Sequence, residues 1–141
     1  MKTEKQRGFT LIELVVVIAL LGILAAFAIP RFASLEREAR SAVTQGLSGS
    51  LRSAAAMAHG LHIATGLTTV QMEGNDIVIV NGYPNAASVQ LTLSDATGFT
   101  PSVSGTVATF AKDGTTADCK VDYTQATATA PPSIVATTTG C

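Results

Sequence analysis

From Phe9 to Ile29 the only conventionally polar side chains are Thr10 and Glu13, whereas Met1 to Gly8 is a hydrophilic run. The apolar stretch predicts a helix of about 31 Å, close to the hydrocarbon thickness of a bilayer. An ordinary secretory signal is cut behind its apolar segment, at small residues. Here the small residue, Gly8, stands in front of it. A cut after Gly8 would leave a mature chain beginning at Phe9 that keeps the whole hydrophobic stretch, with one carboxylate near its start.

Beyond Pro30 the apolar positions are Phe32, Leu35, Ala39, Val43, Leu47, Leu51, Ala54, Ala58 and Leu61, with steps of three or four that mark one face of a helix. Glu36 and Arg40 stand four apart on another face. A helix from Phe9 to about His59 would run some 75 Å, too long for the rest of the chain to cover. Half of it needs lipid or other copies of itself. Gly22 and Pro30 bracket Ile23 to Ile29, and both weaken a helix. Two readings follow from the residues: a kink tolerated in a membrane helix, or a segment able to lose its helical form.

From Gly66 onward the period shortens. Leu67 to Met72, Asp76 to Val80, Ser88 to Leu93, Thr106 to Phe110 and Lys120 to Tyr123 read as strands, separated by Gly74-Asn75, Asn81-Gly82, Gly98 and Asp113-Gly114. Short turns imply antiparallel pairing, with the amphipathic part of the helix covering the sheet. Tyr83-Pro84 and Pro131-Pro132 read as loops. The division predicted is a leader over 1–8, a membrane half-helix over 9–30, an amphipathic half-helix over 31–61 and a β head over 62–141.

Composition changes this picture little. With 141 residues, removal of the helix leaves a head of roughly 80 residues, a size that benefits from a covalent staple or a partner surface. The formal charge is -1, and the leader holds Lys2, Lys5 and Arg7 against Glu4, so the mature chain is more acidic. No basic stripe survives in the head, and binding of nucleic acid through phosphate neutralisation is not expected. Cys119 and Cys141 are an even count in a head that the membrane segment suggests is exported, where disulfides persist. A bridge would contribute roughly 3 kcal/mol in the chain-entropy model. Two unpaired, buried thiols are the alternative.

Gly8-Phe9-Thr10-Leu11-Ile12-Glu13, after a short basic leader and before an apolar helix, resembles the prepilin signature of the type IV pilin family. Cys119-Lys-Val-Asp-Tyr-Thr followed by a Pro- and Thr-rich stretch and Thr-Thr-Gly-Cys141 is similar to the disulfide-bounded loop of type IVa pilins. Asn81-Gly-Tyr-Pro84 is similar to pilins of the mannose-sensitive haemagglutinin type. The resemblance implies an α+β fold, the pilin lollipop: a long N-terminal hydrophobic helix packed on a small antiparallel sheet, closed by a Cys119–Cys141 loop. It implies cleavage between Gly8 and Phe9 by a prepilin peptidase and N-methylation of Phe9. It implies residence in the inner membrane, leader in the cytoplasm and head in the periplasm, until assembly machinery adds the subunit to an extracellular filament of identical copies. It also implies melting of the helix between Gly22 and Pro30 in that filament.

Glu13 is the residue on which function is expected to turn, with Thr10 beside it. A carboxylate in an apolar span is costly, and the plain alternative is that Glu13 reaches the lipid headgroups. In the functional reading it pairs with the Phe9 amine of a neighbouring subunit. In a dry core an unpaired charge is severe, so the pair selects one axial offset between subunits. His59 and His62, three apart, have a spacing that can share a metal, but no Cys or carboxylate is close in sequence and structural or surface histidines are favoured. Asp113-Gly114 with Asp118 lacks the alternating oxygen ligands of a calcium loop and reads as a plain turn. No catalytic constellation stands out, so an enzyme is not expected, nor a cofactor or resident metal. The reading is a type IV pilus subunit serving attachment and motility. Its rivals are a type II secretion pseudopilin or minor pilin, and an anchored periplasmic binding domain that never polymerises.

Overall fold

The computed structural model describes residues 8–141; the leader read over 1–8 therefore lies outside the described residues except for Gly8. One helix, α1 (Leu11–Thr65), is followed by seven short strands: β1 (Thr69–Met72), β2 (Asn75–Val80), β3 (Tyr83–Pro84), β4 (Phe99–Ser104), β5 (Val107–Lys112), β6 (Lys120–Thr124) and β7 (Ser133–Thr137). The class is α+β with antiparallel strands throughout. The chain divides into two compact units, one ending at Arg37 and the other Glu38–Cys141.

In the first unit α1 passes through Gly22 and Pro30 without a break in its helical assignment. Its apolar side chains face outward: Phe9 is 93% exposed, and Leu11, Leu20, Ile23, Phe27 and Ile29 are all exposed. This segment is long and apolar enough to cross a membrane, and none of its most apolar window is buried within the chain. Phe32 and Leu35, expected on a covered face, are likewise exposed.

In the second unit the strands form two sheets and not one, in the orders β1-β2-β3 and β4-β5-β6-β7. The alternation along β5 and β6 puts Ala108, Phe110, Val121 and Tyr123 inside, where Leu47, Leu51 and Ala55 of α1 pack on them together with Val89 and Phe99. A smaller core joins Ala58 to Val70, Met72, Ile77 and Ile79 of the first sheet. The buried face of α1 is Thr44, Leu47, Ser48, Leu51, Ala55 and Ala58. It keeps Leu47, Leu51 and Ala58 of the expected stripe, but Thr44 is buried where Val43 was expected, and Val43 is half exposed.

One expected strand is absent. Ser88 to Leu93 forms a 3-10 turn over Val89–Thr92. The Asn85 side chain accepts from both the Ser88 amide and its hydroxyl at 2.8 Å, and the Val89 amide donates to the Asn85 carbonyl at 3.0 Å, which winds the chain before it can extend. The Ser88 hydroxyl oxygen in turn accepts from the Val78 amide at 3.2 Å, where a neighbouring strand would have stood. Three strands were not expected: β3, β4 and β7. Each lies at the end of its sheet, and β3 and β4 contain Pro84 and Pro101, which a ladder tolerates at its edges.

Candidate functional site

The apolar N-terminus begins with a reciprocal cap. Thr10 precedes the first helical residue, and its amide and hydroxyl donate to Glu13 Oε2 at 2.8 and 2.9 Å, while the Glu13 amide donates to Thr10 Oγ1 at 3.3 Å. This is a capping box, in which a hydroxyl and a carboxylate three residues apart satisfy helix-terminal donors that have no partner within the helix. The Thr-x-x-Glu spacing was legible in the sequence, yet the expectation for these two residues concerned assembly alone. Beside the cap, Phe9, Ile12, Val16 and Val17 line an open apolar groove with Glu13 at its margin. Gly22 has nothing within 4 Å of where a Cβ would stand, so no packing within the chain calls for glycine there.

The C-terminal cysteines are joined, with Cα atoms 4.8 Å apart, and both are buried. Under the bridge lies Thr44, fully buried, which donates to the Arg40 carbonyl at 2.9 Å. Arg40 Nη1 reaches the Cys141 carbonyl at 3.4 Å. On the other side the Gly140 amide donates to the Asp118 carbonyl at 3.0 Å and Thr116 Oγ1 donates to the Gly140 carbonyl at 3.1 Å. The tail is therefore held from both directions. Thr44 and Arg40 carried no sequence signal of this role, because nothing in their spacing says which turn of α1 meets the bridge.

The remaining candidates each have backbone or side-chain partners of their own. Asp113 accepts from Thr100 Oγ1 at 2.7 Å at the turn where Gly114 has a φ of +71°, and among the described residues no group of three or more His, Cys, Asp or Glu is placed to hold a metal. His59 Nδ1 meets the Gly82 carbonyl and His62 Nδ1 the Leu67 carbonyl, each at 2.7 Å.

Comparison with known proteins bears on the N-terminus first. Residues 4–29 match the family model of the prokaryotic N-terminal methylation motif. The chain is 46% identical over 54 residues to the type IV narrow pilus major component PilA5 of Thermus thermophilus, spanning 38% of this chain and 47% of that protein. It is 36% identical over 138 residues to a fimbrial protein of Dichelobacter nodosus, a match spanning 96% of this chain and 76% of the relative. The chain belongs to the type IV pilin family. A fimbrial protein of Pseudomonas aeruginosa is 44% identical over 69 residues, 46% of this chain and 44% of its own length. Identity in two of these three pilins thus covers less than half of either chain, and the third carries the likeness through the head. No solved structure matches the chain.

In a pilin the two sites have different chemistry. The cap is charged and lies on an uncovered apolar helix, whereas the bridge and its hydroxyl are buried in a packed core. The first is exposed and the second is part of the core.

Proposed function

We propose that this pilin is the structural, major subunit of a type IV pilus, of the IVa kind. A peptidase of the inner membrane cuts between Gly8 and Phe9 and Phe9 is N-methylated. The subunit waits in the bilayer, its leader side in the cytoplasm and its head in the periplasm, and is then added by inner-membrane assembly machinery to an extracellular filament of identical copies that serves attachment and motility. The observation that carries this reading is the outward-facing apolar segment from Phe9 to Ile29, in which no side chain is buried. Such a surface is stable in lipid, and among other copies of the same helix it exchanges one dry environment for another without meeting water.

Glu13 enters assembly already satisfied by Thr10. A carboxylate has about four acceptor positions, so it can accept from a neighbour's Phe9 amine while keeping its own cap. Transfer through the dry interior is eased by the cap, and docking is completed by the charge pair. The names of the relatives support a pilus subunit over a secretion pseudopilin, and an anchored domain that stays monomeric has no use for a cleavage residue placed ahead of the helix.

Intact-mass measurement of the membrane-extracted protein tests the processing. The expected species begins at Phe9 with one added methyl group, and Gly8→Arg is expected to retain the leader. A Gly8→Arg protein with the mature mass would overturn the cleavage site. Electron microscopy of cells with and without the gene tests the filament: loss of surface fibres is expected, and unchanged fibres would overturn the assignment as major subunit.

A further inference from the structure

We propose that His59 and His62 form a surface binding site for a divalent transition-metal ion, Zn2+, Cu2+ or Ni2+, with their two Nε2 atoms as ligands. A backbone carbonyl can only accept, so the bonds of His59 Nδ1 to Gly82 and of His62 Nδ1 to Leu67, each 2.7 Å, fix a proton on Nδ1 of both rings. In the neutral imidazole Nε2 is then the bare lone pair. This is the arrangement that supports metal-ligating histidines generally, the far nitrogen being held by a carbonyl so that tautomer and ring orientation are set before the ion arrives.

Neither Nε2 has a protein partner among the described residues, and no buried side-chain nitrogen or oxygen there lacks one. Both lone pairs are therefore open to solvent. Side chains three apart on a helix are neighbours, with Cβ atoms about 5–6 Å apart. The two rings also approach one point of the backbone: a Cβ at Gly82 would stand 3.2 Å from His59 Nδ1 and 4.0 Å from His62 Cδ2. Gly82, at a φ of +85°, supplies the approach that a side chain would block. Tyr83 stacks on His59 with ring centroids 4.2 Å apart and planes within 3°, which holds that ring in place. His62 lies in the last turn of α1, where the helix dipole favours a cation.

Imidazole pairs suit Zn2+, Cu2+ and Ni2+, and not the hard ions Mg2+ and Ca2+, which take oxygen. Two protein ligands leave the other coordination positions to water or to a donor from another molecule. The inference is independent of the pilus reading, since it requires only the folded head.

The test is a titration of untagged, full-length protein in detergent micelles with Zn2+ by calorimetry. One saturable site per chain is expected, weakened on the order of tenfold or more by His59→Gln or His62→Gln and removed by the double change. In the unmodified protein, long-range nitrogen NMR should show both Nε2 resonances shifting on Zn2+ addition while both Nδ1 remain protonated. A wild-type isotherm that superimposes on that of the double variant would overturn the site. So would unchanged Nε2 resonances at saturating Zn2+, a result that holds even if the variants fold poorly.

Discussion

The hydroxyl of Thr44 lies 3.5 Å from the sulfur of Cys119, and 3.8 Å from that of Cys141, so the bridge rests on a polar atom of α1 inside the core. That hydroxyl spends its proton on the Arg40 carbonyl one turn back. The bridge therefore meets the bulk of that oxygen and not a hydrogen bond from it.

Two substitutions separate volume from polarity at this position. Thr44→Val keeps the shape and loses one hydrogen bond, an expected cost of about 0.5–1.5 kcal/mol. Thr44→Leu forces extra volume under a bridge that cannot move and should cost more, about 1–3 kcal/mol. Replacing both cysteines by serine should lose up to about 3 kcal/mol and raise amide exchange at Gly140 and Cys141, whose bonds to Asp118 and Thr138 depend on the closed tail. Urea midpoints at constant slope measure all three. Equal midpoints for the Val and Leu variants would show that the bridge does not press on Thr44.

Tyr123 is the largest fully buried side chain, and its hydroxyl donates to the Pro84 carbonyl at 2.6 Å, tying the larger sheet to the smaller. Burial, with a smaller contribution from Tyr83, pushes its phenol well above the usual tyrosine range. The folded state thus holds the proton more tightly than the unfolded one. The associated stability is complete below the ordinary tyrosine value of about 10 and is lost as pH rises beyond it. Tyr123→Phe is expected to cost about 1–3 kcal/mol at neutral pH by leaving the Pro84 carbonyl unpaired. The gap between wild type and variant should narrow when the unfolding midpoints are repeated at about pH 11. A gap that stays constant would mean the phenol does not titrate with unfolding.

For Glu13 the structure shows a helix cap beside the assembly role proposed for it, and two substitutions separate the two. Glutamine preserves a capping box, since its amide oxygen can accept from Thr10, but carries no charge for the Phe9 amine of a neighbour. Valine removes both. If the charge pair sets assembly, Glu13→Gln and Glu13→Val should both be processed normally and both form few fibres. Fibre counts by electron microscopy, normalised to processed subunit on immunoblots, decide it. Wild-type fibre numbers from Glu13→Gln with few from Glu13→Val would assign the role to the cap and remove the charge pair from the mechanism.

Much of this molecule was legible because strong local patterns agree with the fold. The apolar run to Ile29 and the three-and-four spacing around Leu47, Leu51 and Ala58 each answer to one physical demand, burial in a dry phase or against a sheet. So do the alternations through Ile77 to Ile79 and Phe110 to Val121, where one side of a strand must face α1. What was not legible depended on competition between weak preferences. Val89 to Thr92 has strand-like residues, yet Asn85 captures Ser88 and turns the chain. Strands β4 and β7 have a single neighbour each, so their composition is relaxed and Pro101 is admitted. Thr44 is buried where Val43 was expected because the Cys119–Cys141 bridge closes over it, a long-range contact absent from any window of residues.

The stretch from Gly22 to Pro30 is helical in the subunit, with all side chains from Ile23 to Ile29 outside the core. In lipid every backbone group needs an internal partner, so the helix should persist there, bent at Pro30. Inside a filament the neighbouring helices exclude lipid and water alike, and Gly22 and Pro30 are the two weakest points between which α1 can open. Extended chain rises about 3.3 Å per residue against 1.5 Å in a helix, so opening six or seven residues would lengthen a subunit by on the order of 10 Å. The expected outcome is a gap in helical density between Gly22 and Pro30 in a cryo-electron-microscopy map of the pilus, beside an unbroken helix in the detergent-solubilised subunit. Gly22→Ala meets no steric obstacle in the subunit and favours the helix by about 1 kcal/mol, and Pro30→Ala restores a missing donor. Together they should produce filaments with a longer persistence length in electron micrographs. Continuous helical density in the native fibre would refute the melting, and an unchanged persistence length in the double variant would detach it from filament flexibility.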